Sequence, residues 1–86
     1  MSDKLRAKIT DFLEAKIKDS GKSIPADFND NTPLITSGLI ESLHLLELAI
    51  LVEEEVGSPL DLTTLDFAKE WDSISGIINF VQNHKQ

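Results

Sequence analysis

The stretch Gly38-Leu39-Ile40-Glu41-Ser42-Leu43-His44-Leu45-Leu46-Glu47-Leu48 holds the residues best suited to chemistry. Gly38 lets the chain turn, and Leu39 and Ile40 bury the approach. Glu41 and Ser42 then stand where a helical pattern begins. A serine hydroxyl in that place is exposed. The unsatisfied amides and the dipole of a helix N-terminus favour an attached anion such as a phosphate. A phosphodiester on Ser42 is therefore chemically sensible. Taken alone, the same serine reads first as an N-cap, because serine is preferred there in any helix.

Other chemistries fail on spacing. Ser42 and His44 are two apart on a helix, so their side chains diverge and cannot converge with an acid into a hydrolase triad. Asp27-Phe28-Asn29-Asp30-Asn31-Thr32 begins like a calcium loop, but the sixth and twelfth positions are Thr32 and Gly38 where glycine and glutamate are required. His44 and His84 are far apart, and the chain has no cysteine, so no zinc site is expected. Glu53-Glu54-Glu55 reads as a solvated face. No metal and no catalytic group is assigned, and the chain is not read as an enzyme.

The elements that must position Ser42 follow from periodicity. Residues 2–19 form a first helix, capped by Ser2 or Asp3, with Leu5, Ile9, Phe12, Leu13 and Ile17 at helical spacing and Gly21 just past its end. Residues 20–38 are a long connection punctuated by Pro25, Asn29, Asn31, Pro33 and Gly38. So long a loop in so short a chain has to be tied down or functional, and Ile24, Phe28, Leu34 and Leu39 are its expected tethers. Residues 42–56 form the clearest helix, stopped by Gly57 and Pro59. Its core stripe is Leu45, Leu48, Ala49, Val52 and Val56. A second stripe, Leu43, Leu46 and Ile50, runs beside Glu47, Glu53 and Glu54. These acids are expected to be largely exposed, since nothing in the sequence offers them buried partners. The second stripe suggests a docking surface, with core packing as the alternative.

Residues 63–70 form a short helix capped by Thr63 or Thr64. Residues 73–84 form a last helix, capped by Asp72 or Ser73, with Ile74, Ile77, Ile78 and Val81 inward and slightly weakened by Gly76. No segment alternates as a strand. The expected fold is all-α: a small four-helix bundle of three main helices and one short one, with a long first loop, in a single domain over 1–86.

The net charge of −7 is unevenly spread: residues 1–22 carry a net +2, and residues 23–86 carry −9. Such a surface repels nucleic acid and attracts basic patches on other proteins. No apolar run reaches the length of a membrane span, and the N-terminus lacks a signal-peptide core. A monomer in the reducing cytoplasm is the expected state.

The stretch around Ser42 resembles the acyl carrier protein family, whose modification motif is Asp-Ser-Leu at the start of the second helix. Glu41, Ser42 and Leu43 match it. Gly38-Leu39-Ile40 before it and Glu47-Leu48 after it are similar to the family, as is the acidic run Glu53-Glu54-Glu55 followed by Val56-Gly57. Trp71-Asp72-Ser73-Ile74 falls where the family opens its last helix. The resemblance covers roughly residues 30–82. It departs at Glu41, where aspartate is usual, at His44, where housekeeping carriers often have an acid, and at Trp71. Asp66-Phe67-Ala68-Lys69-Glu70-Trp71 resembles the D-alanine carrier of teichoic acid synthesis.

The resemblance implies a non-catalytic carrier. Ser42, flanked by Glu41 and Leu43, would accept 4′-phosphopantetheine from coenzyme A through a phosphopantetheinyl transferase. The arm would then present a thioester-bound acyl group to acyl-loading and acyl-using enzymes of fatty-acid, polyketide or other specialised biosynthesis. Leu43, Leu46, Glu47, Ile50, Glu53 and Glu54 would meet basic, partly apolar patches on those partners. Two alternatives are an aminoacyl or D-alanyl carrier and, in another class, an unmodified helical interaction module.

Overall fold

A computed structural model describes residues 3–61 and 63–84. Among these residues four helices follow one another: α1 Asp3–Asp19, α2 Ser42–Val56, α3 Phe67–Glu70 and α4 Ile74–His84. No strand occurs among the described residues. The chain is the expected all-helical bundle of three main helices and one short one.

The core is one apolar cluster with no buried polar or charged residue among those described. α1 contributes Ile9, Leu13 and Ile17, with Leu5 and Phe12 at its edge. α2 contributes Leu45, Leu48, Ala49, Val52 and Val56, the stripe its periodicity predicts. α4 contributes Ile74, Ile77, Ile78 and Val81, and also Phe80. Trp71, at the end of α3, is fully buried, with its ring edge-on to Phe67 at 5.0 Å and to Phe80 at 5.4 Å. Burying an aromatic of this size is among the larger apolar contributions a small domain can draw on.

The long loop is tied down as its length requires. Leu34 is fully buried, and Ile24, Phe28 and Leu39 pack half-buried on the core. Polar ties add to these tethers. Arg6 of α1 pairs with Asp30 at 2.9 Å, and Ser75 N donates to Asp30 O at 3.0 Å. The loop therefore has α1 on one side and α4 on the other, and its exit toward α2 is fixed.

One expectation about helix starts is corrected, and a choice between two caps is settled. The short helix does not begin at Thr63. Asp61 Oδ1 accepts from both the amide and the hydroxyl of Thr63, holding that segment in a turn, and Asp66 caps α3 by accepting from Lys69 N at 3.2 Å. The cap of α4 is Ser73, whose Oγ accepts from Gly76 N at 3.1 Å, while the Asp72 carboxylate turns to the long loop. Asp3 lies within α1, and Ser2 is outside the described residues. Gly76 also has a positive role. A Cβ there would stand 2.6 Å from the Glu70 carbonyl oxygen, so the turn between α3 and α4 closes only over a residue without one.

Candidate functional site

Gly38 has φ +80, a left-handed conformation open to glycine at no steric cost, and it turns the chain toward α2. Its amide donates to Ile35 O at 3.0 Å. Two residues on, Ile40 is buried, and its amide donates to Leu34 O at 3.1 Å. Glu41 follows in extended conformation and is the N-cap of α2. Its amide donates to His44 Nδ1 at 3.4 Å, the backward half of a capping box.

Ser42 is thus not the cap but the first helical residue, which corrects the reading that treats it as an N-cap. It is exposed, and its hydroxyl has no hydrogen-bond partner among the described residues. The cap position is filled by its neighbour, so the hydroxyl oxygen is free to react. It stands beside the unsatisfied amides of a 15-residue helix, where a covalently attached phosphate is favoured. The nearby carboxylate of Glu41 would repel that phosphate. Lys22 offsets it: the ammonium lies 3.9 Å from Glu41 Oε2 and donates to Gly38 O. Lys22 belongs to the basic N-terminal quarter of the sequence, and only folding brings it here.

Leu43, Leu46 and Ile50 are 68, 54 and 60 % exposed. This excludes core packing for the second stripe. The acids beside it do not all fit the solvated edge read from sequence. Glu54 is exposed and has no ion-pair partner among the described residues. Glu47 is half-buried and pairs with Lys16 at 3.1 Å, and the Lys16 ammonium also stands 5.4 Å from the centre of the Phe12 ring. Glu53 is half-buried and accepts from Leu60 N at 2.8 Å. Glu55 pairs with Lys8, and by hydrogen bond and charge it holds that ammonium above its ordinary value. The expectation of free acids at Glu47 and Glu53 fails because α1 brings Lys16 from 31 residues away to Glu47, and the turn after α2 brings the Leu60 amide back onto Glu53.

One residue that positions the site is not assigned that role from sequence. Asp72 Oδ1 accepts from the amides of Leu34, Ile35 and Thr36 at 3.1, 2.7 and 3.0 Å, and Oδ2 accepts from the Thr36 hydroxyl at 2.9 Å. The Asp72 carbonyl accepts from Leu34 N as well, at 2.6 Å. Burial pushes this carboxyl up, but the amides of Thr36 and Ile35, the Thr36 hydroxyl and the Leu34 amide together outweigh it and hold Asp72 below the usual carboxylate range. The loop that delivers Ser42 is therefore anchored on the residue before the cap of α4.

A cavity of about 320 Å³ opens elsewhere, lined by Val56, Leu60, Leu65, Phe80 and His84. It lies at the C-terminal end of α2, away from Ser42. No group of three or more His, Asp or Glu side chains among the described residues is arranged to hold a metal ion, and no helix there is long and apolar enough to cross a membrane. The chain matches no family model and no curated protein sequence.

Proposed function

We propose that the protein is a carrier that bears 4′-phosphopantetheine on Ser42 and presents a thioester-bound acyl group to partner enzymes. The observation that carries this reading is the pairing of a free, exposed hydroxyl on the first residue of α2 with an exposed aliphatic face on the same helix. In the loading step, the Ser42 oxygen forms a bond to the phosphorus of coenzyme A that bears pantetheine. The bond from that phosphorus to the nucleotide part breaks, and the hydroxyl proton passes to a base of the transferase. The chain has no cysteine, so the thiol that carries cargo comes from the arm. The helix N-terminus and Lys22 favour the phosphodiester, and the protein itself supplies no catalytic group.

The test is mass measurement after incubation with coenzyme A, magnesium and a broad-specificity phosphopantetheinyl transferase. Wild-type protein gains one phosphopantetheine, and Ser42→Ala gains none while remaining helical. Wild-type protein that stays unmodified with several transferases would instead support an unmodified interaction module using the Leu43, Leu46 and Ile50 face. Loading of the holo form by an adenylating ligase with an amino acid, rather than with an acyl group, would make it an aminoacyl carrier.

A further inference from the structure

Lys22 is placed by the end of α1. Gly21, left-handed with φ +78, donates its amide to Lys18 O at 2.9 Å, and the Lys22 amide donates to Ile17 O at 3.2 Å. These two bonds make a Schellman cap, with Gly21 as its left-handed residue and Lys22 the next. The root of the Lys22 side chain is thus fixed to α1 by backbone bonds. Its ammonium crosses to the approach of α2, where it donates to Gly38 O and lies 3.9 Å from Glu41 Oε2. The contact with Glu41 is loose. In the other three ion pairs among the described residues, Arg6–Asp30, Lys8–Glu55 and Lys16–Glu47, the charged atoms stand at 3.1 Å or closer. At 3.9 Å Lys22 and Glu41 attract by charge without a hydrogen bond. An ammonium has three donors, and among the described residues that of Lys22 uses one, on Gly38 O. The Glu41 side chain is 60 % exposed, so its carboxylate can turn to solvent and leave the ammonium to another anion.

We propose that Lys22 is a positioning residue for the arm: its ammonium binds a free oxygen of the phosphodiester on Ser42, keeps its bond to Gly38 O and releases Glu41. The proposal rests on the carrier reading above and names the chain's own cation for the arm's phosphate. Attachment puts one new negative charge on the residue next to Glu41. The two anions repel, and one of them is tethered on Ser42 while the other is free to turn away. The spare donors of Lys22 then go to the tethered one, in hydrogen bonds strengthened by charge on both sides. Loading therefore adds a tie between the end of α1 and the start of α2 that the unloaded protein holds only by the loose pair with Glu41.

The experiment compares melting midpoints of the full chain with and without the arm, for wild type, Lys22→Gln and Lys22→Arg, with loading checked by mass. The readout is the loaded-minus-unloaded difference at an ionic strength of about 0.01 M. Wild type is expected to melt about 1–5 °C higher when loaded, as for one exposed charge pair in a domain of this size. Lys22→Gln should abolish or reverse that gain, and Lys22→Arg should keep most of it. At about 1 M, where the screening length falls to about 3 Å, the wild-type difference should approach that of Lys22→Gln. Losing the bond to Gly38 O lowers both forms of Lys22→Gln alike. A lysine with only that structural role would leave the difference unchanged, and this result would overturn the proposal while the carrier reading stands. A second measurement needs no variant. In NMR spectra of wild type, loading should shift the side-chain CH₂ signal beside the Lys22 ammonium and leave that of Lys4, at the other end of α1, in place. An unshifted Lys22 signal in loaded protein would also overturn the proposal. Failure of wild type to gain the arm from several transferases would overturn the carrier reading and the proposal with it.

Discussion

Both carboxylate oxygens of Asp72 are bound to Thr36, one by its backbone amide at 3.0 Å and the other by its hydroxyl at 2.9 Å, across 36 residues of sequence. With the Leu34 and Ile35 amides on the same carboxylate, this contact fixes the loop that ends at Ser42. Asp72→Ala would leave these part-buried amides without their acceptor and is expected to cost about 1–3 kcal/mol, read as a lower melting midpoint. The folded carboxyl is held below its unfolded value of about 3.9. Its contribution is therefore complete above that value and is lost as pH falls through the lower folded value. The stability gap between wild type and Asp72→Asn should accordingly be widest near pH 7 and shrink below about pH 4 in urea unfolding.

Ser42 gives a second test, because its two readings differ in stability as well as chemistry. A true N-cap serine replaced by alanine costs about 0.5–2 kcal/mol. Here Glu41 holds the cap position and the Ser42 hydroxyl is unbonded among the described residues. Ser42→Ala should therefore shift stability by less than about 0.5 kcal/mol in chemical denaturation. A larger loss would restore the serine to a capping role.

The Lys16–Glu47 pair predicts an asymmetry between neighbouring acids. Glu47→Lys sets like charges together and should lower the melting midpoint, whereas Glu54→Lys should not. Adding Lys16→Glu to Glu47→Lys should recover part of the loss. The coupling in a double-mutant cycle should be about 0.2–1 kcal/mol, as for a partly exposed pair. The core responds on a larger scale. Leu48 is fully buried, and Leu48→Ala should cost about 2–5 kcal/mol.

Gly76 reverses a rule of thumb. Glycine to alanine inside a helix ordinarily gains up to about 1 kcal/mol. At this position the added carbon would meet the Glu70 carbonyl oxygen, which is backbone and cannot rotate aside. Gly76→Ala should destabilise by about 1–3 kcal/mol, measured by thermal unfolding, as overpacking does.

The three main helices, most of their inward residues and the position of Ser42 at a helix start are legible in the chain alone. These follow from local periodicity and punctuation, which act within a few residues. Leu45, Leu48, Ala49, Val52 and Val56 are legible as a core because one helix turn repeats every few positions. The exposure of Leu43, Leu46 and Ile50 is half legible: the stripe is visible, but whether another element covers it is not. The remaining features come from packing between elements. An acid's partner depends on what is brought beside it, so Glu47, Glu53 and Glu55 read as a free edge until α1 and the residue 57–61 segment lie against α2. Asp72 and Ser73 are both good caps, and the choice falls to Ser73 because the loop amides at 34–36 claim the carboxylate. The basic charge of residues 1–22 and the acidity of the remainder are visible in composition. Their pairing at Arg6–Asp30, Lys8–Glu55, Lys16–Glu47 and Lys22–Glu41 is a property of how α1 and the chain just after it pack, since electrostatic contact depends on distance in space and not along the chain.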